Sequence, residues 1–254
     1  MIPSREIREK ARRYGVPETT VERDYAQNWL TKYLSTINMA LKGGTGIRKV
    51  YIEDYRFSDD LDFTLFVEMK KESLKTQIVN AVRDAKEESG IDFGEEIVFN
   101  ESPNGYEVVV YFRILRGAGS PLRIKLDITK PEKEKILLPI QKKNIIHPYS
   151  EGCTANISVY SLEEIMSEKI RALFERIRPR DLYDVWYLWE RIDKKKVLHI
   201  LPEKCDFKGV RIDTQLLIDR KDDFANAWES SLKHQLKELP DFNKTFDKVA
   251  KVII

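Results

Sequence analysis

Residues 42–45 of the chain read KGGT, and residues 56–63 read RFSDDLDF. The second stretch places two carboxylates, Asp60 and Asp62, at positions i and i+2. On an extended strand this spacing directs both side chains to one side. A preceding glycine pair lets backbone N–H groups approach a phosphate closely, and carboxylates bind the hard cation that accompanies it. The two stretches together predict a strand that carries a site for a triphosphate and a divalent metal ion.

Asp62 is the residue in this stretch that a purely structural explanation does not cover. Acidic residues beside a turn are commonly solvated, and Asp59 and Asp60 fit that explanation. Asp62 instead lies between Leu61 and Phe63 in a strongly apolar segment. A carboxylate in such a segment needs a partner. We expect that partner to be a metal ion.

Composition narrows the class of protein. The 254 residues are 42% hydrophobic, which is enough for a packed core, and no apolar run approaches the roughly 20 residues that cross a bilayer. We therefore expect a folded cytoplasmic protein without a membrane partner. Lys and Arg number 44 against 42 Asp and Glu, so net charge gives no argument for nucleic-acid binding. The two cysteines, Cys153 and Cys205, lack the spacing of a zinc site.

Hydrophobic periodicity predicts an α+β fold. Residues 1–40 have a helical period, and Thr19 with Glu22 has the spacing of a capping box. A helical stripe over residues 74–82 is expected to cover one face of a sheet. Alternation of apolar and polar residues predicts the strands of that sheet at 50–52, 61–67, 107–115 and 122–128.

The second half of the chain has a different period. Turn residues cluster at 148–152, and the pattern beyond Val159 is helical almost to the end. Ser161 with Glu164 is a second capping box, and Pro179 is well placed to begin another helix. We therefore expect a mixed-sheet domain with flanking helices, followed by an all-helical domain. The two expected domains span residues 1–152 and 153–254.

A third carboxylate lies in a later strand. In residues 123–128, which read RIKLDI, apolar side chains alternate with charged ones, among them Asp127. One explanation is an ordinary amphipathic strand whose polar side is solvated. The other places Asp127 beside Asp60 and Asp62, where three carboxylates would hold two divalent ions and activate an attacking oxygen. The segment alone leaves both explanations open.

Lys169 lies within the apolar stripe of its predicted helix, four residues after Ile165 and four before Leu173. Its alkyl chain could pack in the stripe while the ammonium group reaches water at an edge. Alternatively, the ammonium group acts as a point charge that binds a phosphate across a cleft. The sequence pattern fits both explanations.

Residues 176–186, which read RIRPRDLYDVW, carry several charges around the start of a helix. Asp181 falls in the first turn, where an acid complements the helix dipole. Asp184 lies one turn further and is less easily explained in that way. The three arginines of the segment are either solvated or face a triphosphate or a nucleic-acid backbone.

Five blocks of sequence together resemble a known family. They are KGGT at 42–45, RFSDDLD at 56–62, KLD at 125–127, EKIRA at 168–172 and RDLYD at 180–184. In order and separation they resemble the AbiEii/AbiGii-type nucleotidyltransferase toxins of the DNA-polymerase-β-like superfamily. The likeness covers most of the chain. It implies a polymerase-β-like mixed sheet followed by a helical domain that completes the active-site cleft.

The resemblance also implies roles for individual residues. Asp60, Asp62 and Asp127 would bind Mg²⁺ or Mn²⁺, and Asp127 would assist the incoming hydroxyl group. Lys169 and Asp184 match catalytic positions that the helical domain contributes. The nucleotide-binding residues that the resemblance implies are Gly43, Gly44, Thr45, Arg56, Ser58, Lys169 and Arg180.

The sequence therefore predicts a Mg²⁺-dependent nucleotidyltransferase that moves a nucleoside monophosphate from an NTP to an acceptor hydroxyl. By resemblance the acceptor is RNA, with tRNA the leading candidate, and the protein is a toxin opposed by an antitoxin. Thr45 stands where the superfamily more often has serine, which keeps the hydroxyl. Two alternatives remain open. One is a nucleotidyltransferase that modifies a small molecule of the antibiotic kind, and the other is a module that binds nucleotide or nucleic acid without turnover.

Overall fold

A computed structural model describes residues 1–115, 117 and 119–253. The chain divides into two compact units. The first consists of Met1–Glu134 and Ile140–Tyr160, and the second of Lys135–Pro139 and the chain from Ser161 onward. The first unit contains a mixed sheet with helices, and the second is built of helices. The predicted α+β class is confirmed.

The first unit contains a seven-stranded sheet. Its helical segments are α1 (Ser4–Tyr14), α2 (Glu18–Leu34), α3 (Gly43–Gly46), which continues as a π-helical turn over Ile47–Tyr51, and α4 (Lys71–Ser89). Its strands are β1 (Met39–Lys42), β2 (Asp60–Leu65), β3 (Asp92–Ser102), β4 (Gly105–Arg113), β5 (Leu122–Thr129), β6 (Gln141–Asn144) and β7 (Asn156–Val159). The strand order is β3-β4-β5-β2-β1-β7-β6. The sheet is mixed because β2 is parallel to β5 and β1 to β7, while the other pairs are antiparallel.

One face of this sheet is buried by helices. On β5 the apolar residues Ile124 and Leu126 are fully buried, whereas their charged neighbours retain exposure. Helix α4 contacts β3 and α2, and α2 also contacts β5. The predicted stripe over residues 74–82 is buried at Leu74 and Ile78, as expected for a helix that covers a sheet. The opposite face of β2 and β5 is therefore left to polar side chains.

Three local predictions in the first unit were wrong. Residues 50–52 were expected to form a strand, but they end a π-helical turn, because three alternating residues are too few to distinguish the two conformations. The helical period over residues 1–40 missed the start of β1 at Met39. The Thr19–Glu22 capping box does not form, since α2 has Pro17 at its N-cap and no side-chain cap. Glu22 instead accepts a hydrogen bond from the backbone N–H of Leu115 at 2.9 Å.

The second unit begins its helices where the sequence predicts. The side chain of Ser161 accepts a hydrogen bond from the backbone N–H of Glu164 at 3.1 Å, and Pro179 is the first residue of the next helix. The helices are α5 (Leu162–Glu175), α6 (Pro179–Leu188), α7 (Lys194–Lys208), α8 (Thr214–Asp219), α9 (Lys221–Leu232) and α10 (Phe242–Ile253). None of the helices in the described ranges is long and apolar enough to cross a membrane.

A buried group of charges joins α5 and α7 inside the second unit. The ammonium group of Lys204 is fully buried and lies 2.6 Å from Glu164 and 3.2 Å from Glu168. Glu164 also accepts hydrogen bonds from the backbone N–H groups of Leu137 and Leu138. The carboxylate thus anchors the 135–139 segment to α5.

Candidate active site

Strands β2 and β5 bring two of the predicted carboxylates side by side. The parallel register pairs Asp62 with Asp127, and the antiparallel register of β1 pairs Lys42 with Asp62. Neighbouring strands lie about 4.8 Å apart, and paired residues point to the same face. Asp60 lies on that face two residues earlier, opposite Lys125. The three predicted carboxylates therefore share the polar face of two adjoining strands.

The glycine pair packs directly against the predicted site residues. Gly43 has a φ of +66°, and a Cβ atom built on it would lie 2.6 Å from Oδ2 of Asp62. A Cβ atom on Gly44 would lie 2.7 Å from a guanidinium nitrogen of Arg56 and 3.3 Å from Oγ of Ser58. Real Cβ atoms essentially never come within 3.0 Å of another atom, so the distances to Asp62 and Arg56 are too short. Both positions must therefore be glycine if these side chains are to keep their places.

Thr45 lies in the same turn, but its side chain has a structural partner. The residue is fully buried, and its hydroxyl donates a hydrogen bond to the backbone carbonyl of Asp60. This bond ties α3 to the start of β2. The hydroxyl group of Thr45 thus fixes the strand that carries the two carboxylates.

A lysine and a further carboxylate accompany Asp127. The ammonium group of Lys125 lies 3.1 Å from Asp127 and 2.8 Å from Glu107, which is paired with Asp127 across β4 and β5. Partial burial opposes the charge of Lys125, but the hydrogen bonds to both carboxylates raise its pKa above the ordinary value. The lysine offsets the repulsion between two facing carboxylates. The sequence analysis did not identify Glu107, since a single acid in an exposed strand face carries no signal of its own.

The donor set fits a divalent cation by its chemistry. Carboxylate oxygens are the ligands that Mg²⁺ prefers, and Mg²⁺ is usually held by one or two carboxylates together with substrate phosphates. Asp60, Asp62 and Asp127 share one face of β2 and β5, but they do not form the three-carboxylate cluster that the sequence predicted. In the described part of the chain, no group of three or more His, Cys, Asp or Glu side chains lies close enough together to hold a metal ion. This arrangement is compatible with a cation whose remaining ligands come from a nucleotide.

Helix α2 holds the loop that precedes β2. Arg23 makes a 2.9 Å ion pair with Asp59, and the side-chain amide of Gln27 donates to the backbone carbonyls of Ser58 and Asp59. Gln27 is fully buried. These contacts fix the backbone of the segment that contains Arg56 and Ser58.

The same helix anchors the π-helical turn that follows the glycines. Asp24 accepts hydrogen bonds from Arg48 at 2.7 Å, from Lys49 at 2.5 Å and from the Tyr149 hydroxyl at 2.7 Å. Burial favours the neutral acid, but the two cations hold the pKa of Asp24 well below its ordinary value. The ionised carboxylate therefore fastens residues 48 and 49 to α2.

The sequence analysis missed this role of α2, although a signal was present. Four polar residues are buried in the helix within seven positions, which is unusual for side chains of this kind. They are Glu22, Asp24, Gln27 and Asn28. Polar side chains inside an apolar helical pattern indicate that the helix organises neighbouring loops.

Lys169 has two carboxylate partners in the second unit. Its ammonium group lies 2.7 Å from Asp181 and 2.8 Å from Asp184, and Arg176 lies 3.0 Å from the other oxygen of Asp181. Burial opposes ionisation of Asp181, but Lys169 and Arg176 hold its pKa well below the ordinary value. The side chain of Lys169 is 12% exposed and that of Asp184 is fully buried. Asp181 therefore pairs with two cations, in addition to lying in the first turn of α6 as predicted.

The predicted site residues divide between the two units. Arg180 lies half-buried in the first turn of α6 and belongs to the second unit, together with Lys169 and Asp184. The remaining predicted residues lie in the first unit, where the glycine turn contacts Asp62, Arg56 and Ser58.

The chain matches a family model over residues 28–252, which is most of its length. The model describes the nucleotidyl transferase AbiEii toxin of a type IV toxin–antitoxin system. No curated protein sequence matches the chain.

Two solved structures of similar fold come from Mycobacterium tuberculosis and Helicobacter pylori. MenT4, a nucleotidyltransferase toxin from Mycobacterium tuberculosis, is 18% identical with a TM-score of 0.67, over 100% of this chain and 89% of that one. The protein JHP933 from Helicobacter pylori is 18% identical with a TM-score of 0.60, over 94% of this chain and 93% of that one. At this level of identity the likeness establishes the fold.

Proposed function

Because the chain belongs to the AbiEii nucleotidyltransferase toxin family of type IV toxin–antitoxin systems, we propose that it transfers a nucleoside monophosphate from an NTP to a hydroxyl group of an RNA, with tRNA the leading acceptor. The protein is a nucleotidyltransferase, and its family implies a nucleotide substrate and a cognate antitoxin. The RNA acceptor, the divalent cation and the residue roles are the proposal.

The observation that carries the proposal is the register of β2 and β5. It sets Asp62 level with Asp127, and the left-handed Gly43 lies directly against Asp62. A phosphate near this turn can approach backbone N–H groups because the glycines carry no Cβ atoms. Mg²⁺ bound through Asp60, Asp62 and Asp127 would neutralise charge on the triphosphate.

Each residue then has a stated task in the transfer. The acceptor hydroxyl oxygen forms a bond to the α-phosphorus of the NTP, the bond from that phosphorus to the bridging oxygen breaks, and pyrophosphate leaves. The hydroxyl proton passes to the carboxylate of Asp127, which lies 3.1 Å from the ammonium group of Lys125. Gly44, Arg56 and Ser58 would contact the nucleotide, since they form one packed group beside the turn.

A further predicted task is the binding of phosphate by a fixed cation. We assign this task to Lys169, which Asp181 and Asp184 hold in one position through bonds of 2.7 and 2.8 Å. A fixed ammonium group binds phosphate with less loss of side-chain entropy than a mobile one. Arg180, in the first turn of α6, would add a second positive charge. The division into domains 1–152 and 153–254 stays a prediction, while the compact units group β7 with the sheet of the first unit.

The test is transfer of label from each NTP in turn to purified total tRNA. We expect the wild-type protein to label RNA with Mg²⁺ present, to stop when EDTA is added and to resume when Mg²⁺ is restored. Asp62→Asn, which keeps the shape of the side chain, should lower transfer by at least about 10²-fold, the scale of losing one charge-stabilising group. The matched control is Asp84→Asn, because Asp84 is a partly exposed acid on α4.

Two results would contradict the proposal in different ways. Equal transfer by wild type and Asp62→Asn would show that the Asp62 carboxylate is not needed for transfer. NTP binding without any labelled RNA would exclude the RNA acceptor and favour a small-molecule acceptor or binding without turnover.

A further inference from the structure

The first unit contains a cavity of about 230 Å³ whose wall does not include Asp60, Asp62 or Asp127. It lies where Arg113 of β4 faces Asp92 of β3, and its wall includes Lys86, Glu95 and Tyr111. Arg113 and Glu107 lie on the same face of β4, because they are six positions apart. At about 3.4 Å per residue the cavity is about 20 Å along the strand from Glu107, which is paired with Asp127.

Arg113 brings an unsatisfied donor to this cavity. One of its guanidinium nitrogens, Nη2, donates to the backbone carbonyl of Gly119 at 2.9 Å. Its Nε–H is buried and makes no hydrogen bond within the described residues. A buried donor without an acceptor costs free energy, and native proteins rarely leave one without a reason. A ligand with an acceptor edge would pair with the guanidinium group of Arg113, which is part of the cavity wall.

The charges of the cavity favour a neutral ligand over an anion. Its described wall carries two cations, Lys86 and Arg113, and two carboxylates, Asp92 and Glu95. A phosphate group would face both carboxylates, and Lys86 is already 3.5 Å from Asp92. A ligand that accepts hydrogen bonds on one edge and donates them on another fits this set of charges.

We propose that this cavity binds a guanine base of the acceptor strand, splayed out from its neighbours. Guanine presents O6 and N7 as acceptors, which is the edge that arginine recognises, and its N1–H and N2–H groups can donate to Asp92 or Glu95. Tyr111 is half-buried on the wall and supplies an aromatic ring for stacking. The inference rests on the proposed RNA acceptor and gives it a base-recognition site about 20 Å from the reacting end.

The test measures binding without NTP, so that it does not depend on catalysis. Two fluorescently labelled single-stranded RNAs of one length are compared by anisotropy, one with guanine and one with adenine at the same positions. We expect wild type to bind the guanine strand at least about tenfold more tightly, as one good arginine–guanine pair provides. Arg113→Gln should lose this preference. Arg113→Lys should lose it too, because lysine keeps the charge but lacks the planar fork.

Control variants distinguish a loss of guanine recognition from a loss of folding and from a general loss of positive charge. Arg83→Gln removes an exposed arginine of α4 and should keep the guanine preference. Tyr111→Leu tests the same cavity through stacking and should weaken binding of both strands. Far-UV circular dichroism of each variant confirms that it is folded.

Four outcomes would overturn this inference and leave the RNA acceptor standing. The first is equal binding of the two strands by wild type. The second and third are a guanine preference that is unchanged in folded Arg113→Gln or retained in Arg113→Lys. The fourth is competition by guanosine monophosphate as strong as by the guanine strand, which would assign the cavity to a free nucleotide. Absence of all RNA binding would overturn this inference and the RNA acceptor together. Guanine-selective binding without transfer would contradict only the proposed reaction.

Discussion

At the scale of single residues, Gly43 has a backbone conformation and a close contact that each disfavour a residue with a Cβ atom. Its φ of +66° lies in the left-handed region, which costs a residue with a side chain roughly 1–2 kcal/mol. Its Cα also lies so close to Asp62 that a Cβ atom would stand 2.6 Å from the carboxylate. The first requirement concerns stability and the second concerns the position of a proposed metal ligand, so the two effects can be measured separately.

We predict that Gly43→Ala loses both stability and activity. The unfolding free energy should fall by about 1–2 kcal/mol because of the left-handed backbone. Nucleotidyl transfer should fall at least about tenfold, because the new methyl group displaces the Asp62 carboxylate and misplaced catalytic groups cost rate steeply. Urea denaturation and the tRNA labelling assay measure the two quantities.

Gly209→Ala is the matched control for this variant. Gly209 ends α7 with a φ of +64°, and a Cβ atom there would have no neighbour within 4 Å. It should show a similar loss of stability and keep wild-type transfer. If both variants lose transfer equally, the contact between Gly43 and Asp62 has no special role.

At the scale of elements, α2 acts as the support for the loops around the glycine turn. Its buried Asp24 binds Arg48 and Lys49 of the π-helical turn, and its Gln27 binds the backbone before β2. A π-helical turn has poorer hydrogen bonding than an α-helix and needs support from its surroundings. The helix therefore fixes the turn and the loop before β2 through its buried polar side chains.

We predict that Asp24→Ala strongly destabilises the first unit. The change leaves two cations buried with no carboxylate, and breaking a buried ion pair in this way costs about 3–5 kcal/mol. Urea denaturation followed by circular dichroism measures the loss. Asp84→Ala, which removes a carboxylate with 42% side-chain exposure, should change the unfolding free energy by less than about 0.5 kcal/mol. Similar values for the two variants would show that the buried group contributes little.

A smaller effect is expected at the start of α5. Ser161 is the N-cap, and its side chain satisfies the backbone N–H of Glu164. Ser161→Ala should lower the unfolding free energy by about 1 kcal/mol, the usual value of such a cap. The shift in the urea midpoint measures it, and Ser161→Asp, which restores a capping oxygen, should recover most of the loss. Failure of that variant to recover stability would assign the loss to packing.

At the scale of the whole molecule, both units contain a buried aspartate whose ionised form the fold stabilises. These are Asp24 in the first unit and Asp181 in the second. Burial alone would raise their pKa values, but the neighbouring cations hold both below the ordinary value. The folded state thus binds protons at these sites less readily than the unfolded state does.

We therefore predict a loss of stability in acid. The stabilisation is fully present above the pKa of an unfolded aspartate, about 4, and is lost as the pH falls below it toward the lower folded pKa values. The urea midpoint should fall steadily below about pH 4. Asp181→Asn should be less stable than wild type at neutral pH and should lose less stability on acidification. A wild-type midpoint that stays constant through this range would contradict the assignment of low pKa values.

Local sequence was sufficient for the features that depend on near neighbours. The alternation in residues 122–128 identified β5, and the spacing of Ser161 and Glu164 identified the start of α5. The i, i+2 spacing of Asp60 and Asp62 indicated that both side chains lie on one face of β2. The fold class and the family are confirmed. The roles of the predicted site residues stay predictions for the assays above.

The sequence by itself determined the strands β2, β4 and β5 with their faces, the start of α5 and the family, because periodicity and short motifs are properties of residues a few positions apart. Only the tertiary structure decided that β5 lies parallel to β2, which sets Asp127 level with Asp62 although 64 residues separate them in the chain. It also decided that Arg48 and Lys49 meet the buried Asp24, in a turn whose last residues local alternation had assigned to a strand. Strand pairing and buried ion pairs join distant residues, and their partners are chosen by how the whole core packs.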